Sequence, residues 1–124
     1  MIQYLLTAIV FVVLDGFYLN LVKDYFNKQI KSIQGSTIQI RLIATAITYV
    51  FLIFGVNYFI IQKHRPVKDA ALLGLTIYGV YEFTNYSLLK DWSLLTVIMD
   101  TTWGTVLFAL TTAIVYSLTP FTRK

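Results

Sequence analysis

The sequence predicts an all-α fold, an integral membrane bundle of four transmembrane helices with a short interfacial helix after the first. Of its 124 residues, 57% are hydrophobic and only 13% are charged, too little polar surface to cover a water-soluble domain of this size. Four separate apolar stretches each run to about 20 residues or more, the length that crosses a hydrocarbon core of ~30 Å as a helix. Residues 1–124 read as a single polytopic domain with no internal repeat.

The first stretch runs from Ile2 to about Val22. No basic residue precedes it and its apolar run is long, so it is expected to remain as a helix rather than be cleaved as a signal peptide. From Lys23 to Gly35 the apolar residues Tyr25, Phe26, Ile30 and Ile33 recur at helical spacing with lysines between them. That pattern suits a short helix lying in the headgroup plane, with a polar loop as the alternative. The second helix is expected from Ile38 to Ile61, where the basic turn KHRPVKD follows and Pro66 forbids continuation. Asp69 then stands near the start of the third helix, Ala70 to Leu89. This is the least apolar stretch, carrying Glu82, Thr84 and Asn85, so the third helix is expected to lie inside the bundle rather than against lipid. Lys90, Asp91, Trp92 and Ser93 connect it to the fourth helix, Leu94 to Leu118. Here Asp91 is the expected N-cap and Trp92, beside Lys90, an anchor at the membrane interface. Short connections make sequential helices antiparallel neighbours.

Charge excludes some partners. The net +4 is carried by residues between the apolar runs, where headgroups lie, and forms no aromatic-interleaved stripe of the kind nucleic acid needs. The expected partners are the bilayer itself, a bound lipid or small solute, and a second copy of the chain. Lys23, Lys28, Lys31, Arg41 and Lys90 fall on one side of the membrane, against Lys63, Arg65, Lys68, Arg123 and Lys124 on the other. The balance leaves orientation to helix one, where Lys23 follows directly and nothing basic precedes, so loops one and three lean towards the cytoplasm. Without cysteine there is no disulfide or thiolate chemistry.

Three of the six acidic residues, Asp15, Glu82 and Asp100, sit inside the apolar stretches. An ionisable group there is costly and normally has a task. Asp15 precedes Lys23 and Glu82 precedes Lys90 by about two helical turns, and Asp100 follows Asp91 by slightly more. At 1.5 Å per residue, three helices thus place a carboxylate roughly 12 Å below the same surface. The predicted polar pocket comprises Asp15, Tyr18, Arg41, Tyr78, Tyr81, Glu82, Thr84, Asn85, Asp100 and Trp103, with Lys90, Asp91 and Trp92 at its interface edge. Arg41 is the candidate counter-ion, while Tyr18, Tyr78 and Trp103 are candidate donors to the carboxylates. Below this plane the helices become apolar, so the pocket is expected to open to one face only. Ala70, Gly74, Tyr78, Glu82 and Tyr86 share a face of helix three, as do Asp100, Trp103, Gly104, Leu107 and Thr111 on helix four. Helix one should present Asp15 with Val12, Tyr18 and Leu19. The small residues at 70 and 74 allow close helix approach.

Three readings of the acids stay open: hydrogen-bonded glue between helices, a site for a ligand, ion or shared proton, and an oxygen-rich site for Mg²⁺ or Ca²⁺. No histidine is near, because His64 lies in the opposite turn as a solvated residue, so no metal or cofactor is assigned. No serine–histidine pair, metal cluster or nucleotide loop supports an enzyme. The functions that fit are proton-coupled handling of a small solute or ion, a lipid-binding or lipid-related role, and a structural part of an envelope or of a virus's internal membrane. Small proton-coupled carriers share the size and the acid in helix one, which is analogy alone.

The run YGVYEFTNYSLLKDWSLLTVIMDTTWGTVL carries a family likeness through Tyr81, Glu82, Thr84, Asn85, Leu89, Lys90, Asp91, Trp92, Asp100, Trp103 and Gly104. Asp15 and Leu19 in helix one fit the same pattern, as do Tyr25, Phe26, Lys28 and Gln29 after it. The chain resembles, over nearly its whole length, a small bacterial membrane-protein family classed as a domain of unknown function, number twenty-one seventy-seven. The family usually has Asp at the position of Glu82 and Trp at that of Tyr18, so reach and volume differ here. The resemblance implies no established activity. Members are similar to proteins encoded beside lipid-modifying and photo-oxidative-stress genes, which points towards lipids. Its motif surrounds the same acids that depth counting singles out.

Overall fold

The computed structural model describes residues 2–36 and 41–119, which form four helices. These are α1 (Ile2–Gln34), α2 (Leu42–Val56) prolonged by a π-helical turn (Asn57–Ile61), α3 (Val67–Leu88) and α4 (Leu94–Leu118). α1, α2 with its π-turn, and α4 are each long and apolar enough to cross a membrane. The expected start of helix two at Ile38, and Arg123 and Lys124, lie outside the described residues.

The expected interfacial helix is not a separate element. α1 continues through Lys23 to Gln34, because no glycine or proline interrupts that stretch. It ends where Gly35 turns left-handed at φ 82° and its N–H bonds the Lys31 carbonyl at 2.9 Å. The 33 residues of α1 make a rod of about 50 Å, so its last turns stand clear of a ~30 Å hydrocarbon core.

Those last turns dock on the start of α4. Tyr25 Oη lies 2.9 Å from Ser93 Oγ and 2.8 Å from Thr96 Oγ1. Gln29, buried, donates to Thr96 Oγ1 at 2.7 Å and accepts from the Ser93 N–H at 2.8 Å, while Ser32 donates to Asp91 at 3.1 Å. The N-cap of α4 is therefore Ser93, whose hydroxyl accepts from the Thr96 N–H at 3.1 Å, and not Asp91, which faces Ser32 instead. At the other end Tyr4 donates to Gln62 at 3.0 Å and Tyr116 to the Arg65 carbonyl at 2.7 Å. These contacts set the 89–93 and 62–66 connections at opposite ends of the bundle.

α4 is the central helix, burying Thr96, Val97, Gly104, Leu107, Phe108, Thr111, Thr112 and Val115. α3 does not lie inside the bundle as expected. One narrow face, Ala70, Gly74 and Glu82, is buried, while Val80, Tyr81, Phe83 and Tyr86 are exposed. The cause is size. A Cβ on Gly74 would strike the Gly104 carbonyl and stand 2.9 Å from Phe108 Cβ, so the small-residue face is where α3 meets α4. Its larger side chains are left to face outward.

The apolar core, with Phe11, Val56, Ile61, Leu107, Phe108 and Val115, fills the half of the bundle around the π-turn. Phe11 packs edge-on to Phe108 at 5.6 Å and to Tyr49 at 6.1 Å. This half is not wholly apolar: Thr7 donates to Asn57 at 3.1 Å, both fully buried, and Asn57 donates to the Ile53 carbonyl at 2.9 Å. His64 is half-buried against Tyr116 rather than solvated. In the other half α2 stands apart, and residues 41–48 are all exposed. The bundle is thus closed around the π-turn and open on the side of the acids.

Candidate functional site

Asp15 and Tyr18 lie three residues apart on α1, as do Asp100 and Trp103 on α4. Such spacing puts both members of a pair on one helix face. Because α1 and α4 run antiparallel, the acid of each meets the donor of the other. Tyr18 Oη donates to Asp100 at 2.6 Å, and Trp103 Nε1 donates to Asp15 at 2.9 Å. Between the two bonds the Tyr18 and Trp103 rings stack, with centroids 4.6 Å apart and planes 8° from parallel. Asp15, buried at 8% exposure, also accepts from Tyr49 of α2 at 2.5 Å, so one carboxylate ties three helices.

Glu82 is fully buried on α3 and accepts from Trp92 Nε1 at 2.9 Å. Its second oxygen meets no hydrogen-bond partner, and the acid acting on it is Asp100. All three acids lie within electrostatic reach of the Tyr18 and Tyr78 hydroxyls. They form a cluster, but no three acidic or histidine groups among the described residues converge closely enough to hold one metal ion.

A cleft of about 400 Å³ opens beside the cluster. It is lined by Asp15, Tyr18 and Lys23 of α1, Thr45 of α2, Tyr78 of α3, and Asp100 and Trp103 of α4. Glu82 sits behind this wall, held by Trp92. The Tyr78 ring packs so closely on Gly104 that a Cβ there would enter it, which fixes the ring at the cleft's edge. Its hydroxyl makes no hydrogen bond among the described residues, unlike those of Tyr18 and Tyr49.

The remaining expected site residues are placed differently. Arg41 is exposed at the start of α2 and lines no part of the cleft, and the cation at the cleft is Lys23. Thr84 is exposed and bonds the Val80 carbonyl of its own helix at 2.6 Å. Asn85 is half-buried, its carbonyl closing the end of α3 on the Leu89 N–H. Tyr81 is exposed and belongs to a neighbouring cleft. Lys90 and Asp91 are exposed, but Trp92 is 6% exposed, a buried donor and not an interface anchor. Reading by sequence missed Tyr49 and Lys23. Tyr49 lies mid-way along an apolar stretch, where a tyrosine is ordinarily a packing residue, and only the meeting of α1 with α2 marks it.

A family model described as "predicted membrane protein (DUF2177)" matches residues 1–117. The chain belongs to the DUF2177 family. Every acid of the cluster and every donor that binds one falls within the matched region of this DUF2177 protein. No curated protein and no solved structure matches it.

Proposed function

We propose that this DUF2177 protein handles a small cationic solute in exchange for protons at the Asp15–Glu82–Asp100 cluster. The observation that supports this most is electrostatic. Among the described residues the ion pair is Arg65–Asp69, 2.7 Å, near the opposite end of the bundle, and the three intramembrane acids form none. Among the described residues, their hydrogen-bond donors are neutral phenols and indoles. A buried carboxylate that forms no ion pair within the protein is open to a proton or to a bound cation. The two compete for the same oxygens, and that competition is the basis of coupling. The cleft brings Asp15 and Asp100 to the solute, and the Tyr78 ring offers an aromatic wall to a cation. Lys23 at the same cleft offsets one of the two carboxylates, so the remaining formal charge suits a single monovalent cation.

The test is uptake of tetraethylammonium into proteoliposomes carrying an imposed proton gradient. Uptake should follow the gradient and fall at least tenfold in Asp15→Asn and in Asp100→Asn. Uptake unchanged by both substitutions, or independent of the gradient, overturns the proposal.

A further inference from the structure

A second cleft of about 330 Å³ lies between α2 and α3, lined by Thr48, Leu52, Ile77, Tyr78 and Tyr81. It adjoins the acid cleft. Tyr78 lines both, and on α2 Thr45 of the first stands one turn from Thr48 of the second. Each volume lies in the range of ~300–1,000 Å³ typical of small-molecule sites. Their chemistry differs sharply. The first presents two carboxylates and Lys23, the second no charged group at all.

We infer that the two clefts together form one site for a single-chain amphiphile, with its cationic head between Asp15 and Asp100 and its hydrocarbon tail between α2 and α3. The inference rests on reading the acid cleft as a cation site, and it names the class of solute. Two observations commit the second cleft to hydrocarbon. Phe51 and Phe54 on α2, and Val80 and Phe83 on α3, are exposed apolar side chains neighbouring the lining residues, so the slot opens among surfaces that face lipid chains. The Thr48 hydroxyl is already spent on the Ala44 carbonyl at 2.9 Å, so it asks nothing of an occupant. Charge complementarity sets the head: Asp15 and Asp100 against the single Lys23 leave the cleft's formal charge negative, which favours a cationic head over an anionic one. At the junction stands Tyr78, which lines both clefts, has its ring held by packing on Gly104, and makes no hydroxyl hydrogen bond among the described residues. A solute of this shape enters sideways from the bilayer, between α2 and α3, where residues 41–48 of α2 are exposed.

The experiment is calorimetric titration of the protein in phosphatidylcholine nanodiscs with ethyl-, hexyl- and decyltrimethylammonium, empty discs being subtracted. Affinity should rise at least tenfold from ethyl to hexyl, since each further methylene that enters the slot leaves water. Thr48→Phe fills the slot from an exposed position and Leu52→Phe does so independently. In both, ethyl affinity should stay as in the wild type while the gain with chain length is lost. A flat chain-length series in the wild type, or an unreduced gain in both filled variants, overturns the amphiphile inference while ethyl binding leaves the cation site standing. Absence of binding by all three probes overturns both readings.

Discussion

Trp92 shows how one side chain changes meaning on folding. Beside Lys90 and Asp91 at the end of an apolar stretch, it reads as an interface anchor, yet its indole N–H bonds Glu82 ten residues back, with the carboxylate fully buried. Trp92→Phe keeps an aromatic ring but removes this donor, leaving a buried carboxylate with neither oxygen bonded. The expected cost is about 1–3 kcal/mol of unfolding free energy. Glu82→Gln should cost less, because the amide oxygen still accepts from Trp92 and the amide N–H faces Asp100. Denaturation of the purified protein by sodium dodecyl sulfate in mixed micelles measures both, and equal losses would refute the assignment. The acids themselves were legible in the sequence, since depth counting needs only the rise of a helix and the loop positions. Their donors were legible in part. Tyr18 and Trp103 share a face with an acid on their own helix, whereas Tyr49 and Trp92 reach an acid from elsewhere, and no local pattern marks that.

The meeting of α3 and α4 is the element on which the site depends most. Gly74 faces the Gly104 carbonyl and Gly104 faces the Tyr78 ring, with no room for a methyl group at either position. Gly104→Ala must push the ring aside, at about 1–3 kcal/mol for overpacking, and the edge of the cleft moves with it. Gly16 and Gly55 are also helical glycines, but nothing lies within 4 Å of a Cβ added at either. Gly16→Ala and Gly55→Ala should therefore be neutral or stabilising by up to ~1 kcal/mol through helix propensity. The same mixed-micelle denaturation distinguishes the two classes, and a neutral Gly104→Ala would contradict the packing. The small-residue face of α3 was readable from its spacing of four, but its position at the bundle's margin was not. Spacing shows which face is narrow and leaves open how many neighbours surround it. The reach of α1 is hard to read for a related reason: a change from apolar to amphipathic composition suggests a new element, yet the helix runs on until Gly35 turns left-handed.

For the whole molecule, hydropathy and geometry give different counts of membrane crossings. Composition alone qualifies three helices, and α3 is not among them because Glu82, Thr84 and Asn85 dilute it. Its 22 residues nonetheless make a helix of about 33 Å, enough to match the hydrocarbon core. Its two ends are fixed by the contacts of its neighbours. The connection before α3 lies beside Tyr4 and Tyr116, while the one after it lies beside Tyr25 and Ser32, at opposite ends of α1. If α1 crosses the membrane, α3 must cross it too, and its one charged interior residue is tolerated because Glu82 turns towards α4 and Trp92. Four crossings then place residues 28 and 90 on one side, with 63 and 68 on the other. The chain has no cysteine, so Lys28→Cys, Lys63→Cys, Lys68→Cys and Lys90→Cys each give a single reporter. In intact cells an impermeant maleimide should label Lys63→Cys and Lys68→Cys, and spare Lys28→Cys and Lys90→Cys until the membrane is opened. The reverse pattern would keep the four crossings and invert the orientation inferred from Lys23. Labelling of positions 68 and 90 from the same side would show that α3 does not cross, and would remove Glu82 from the depth that loop counting assigns to all three acids.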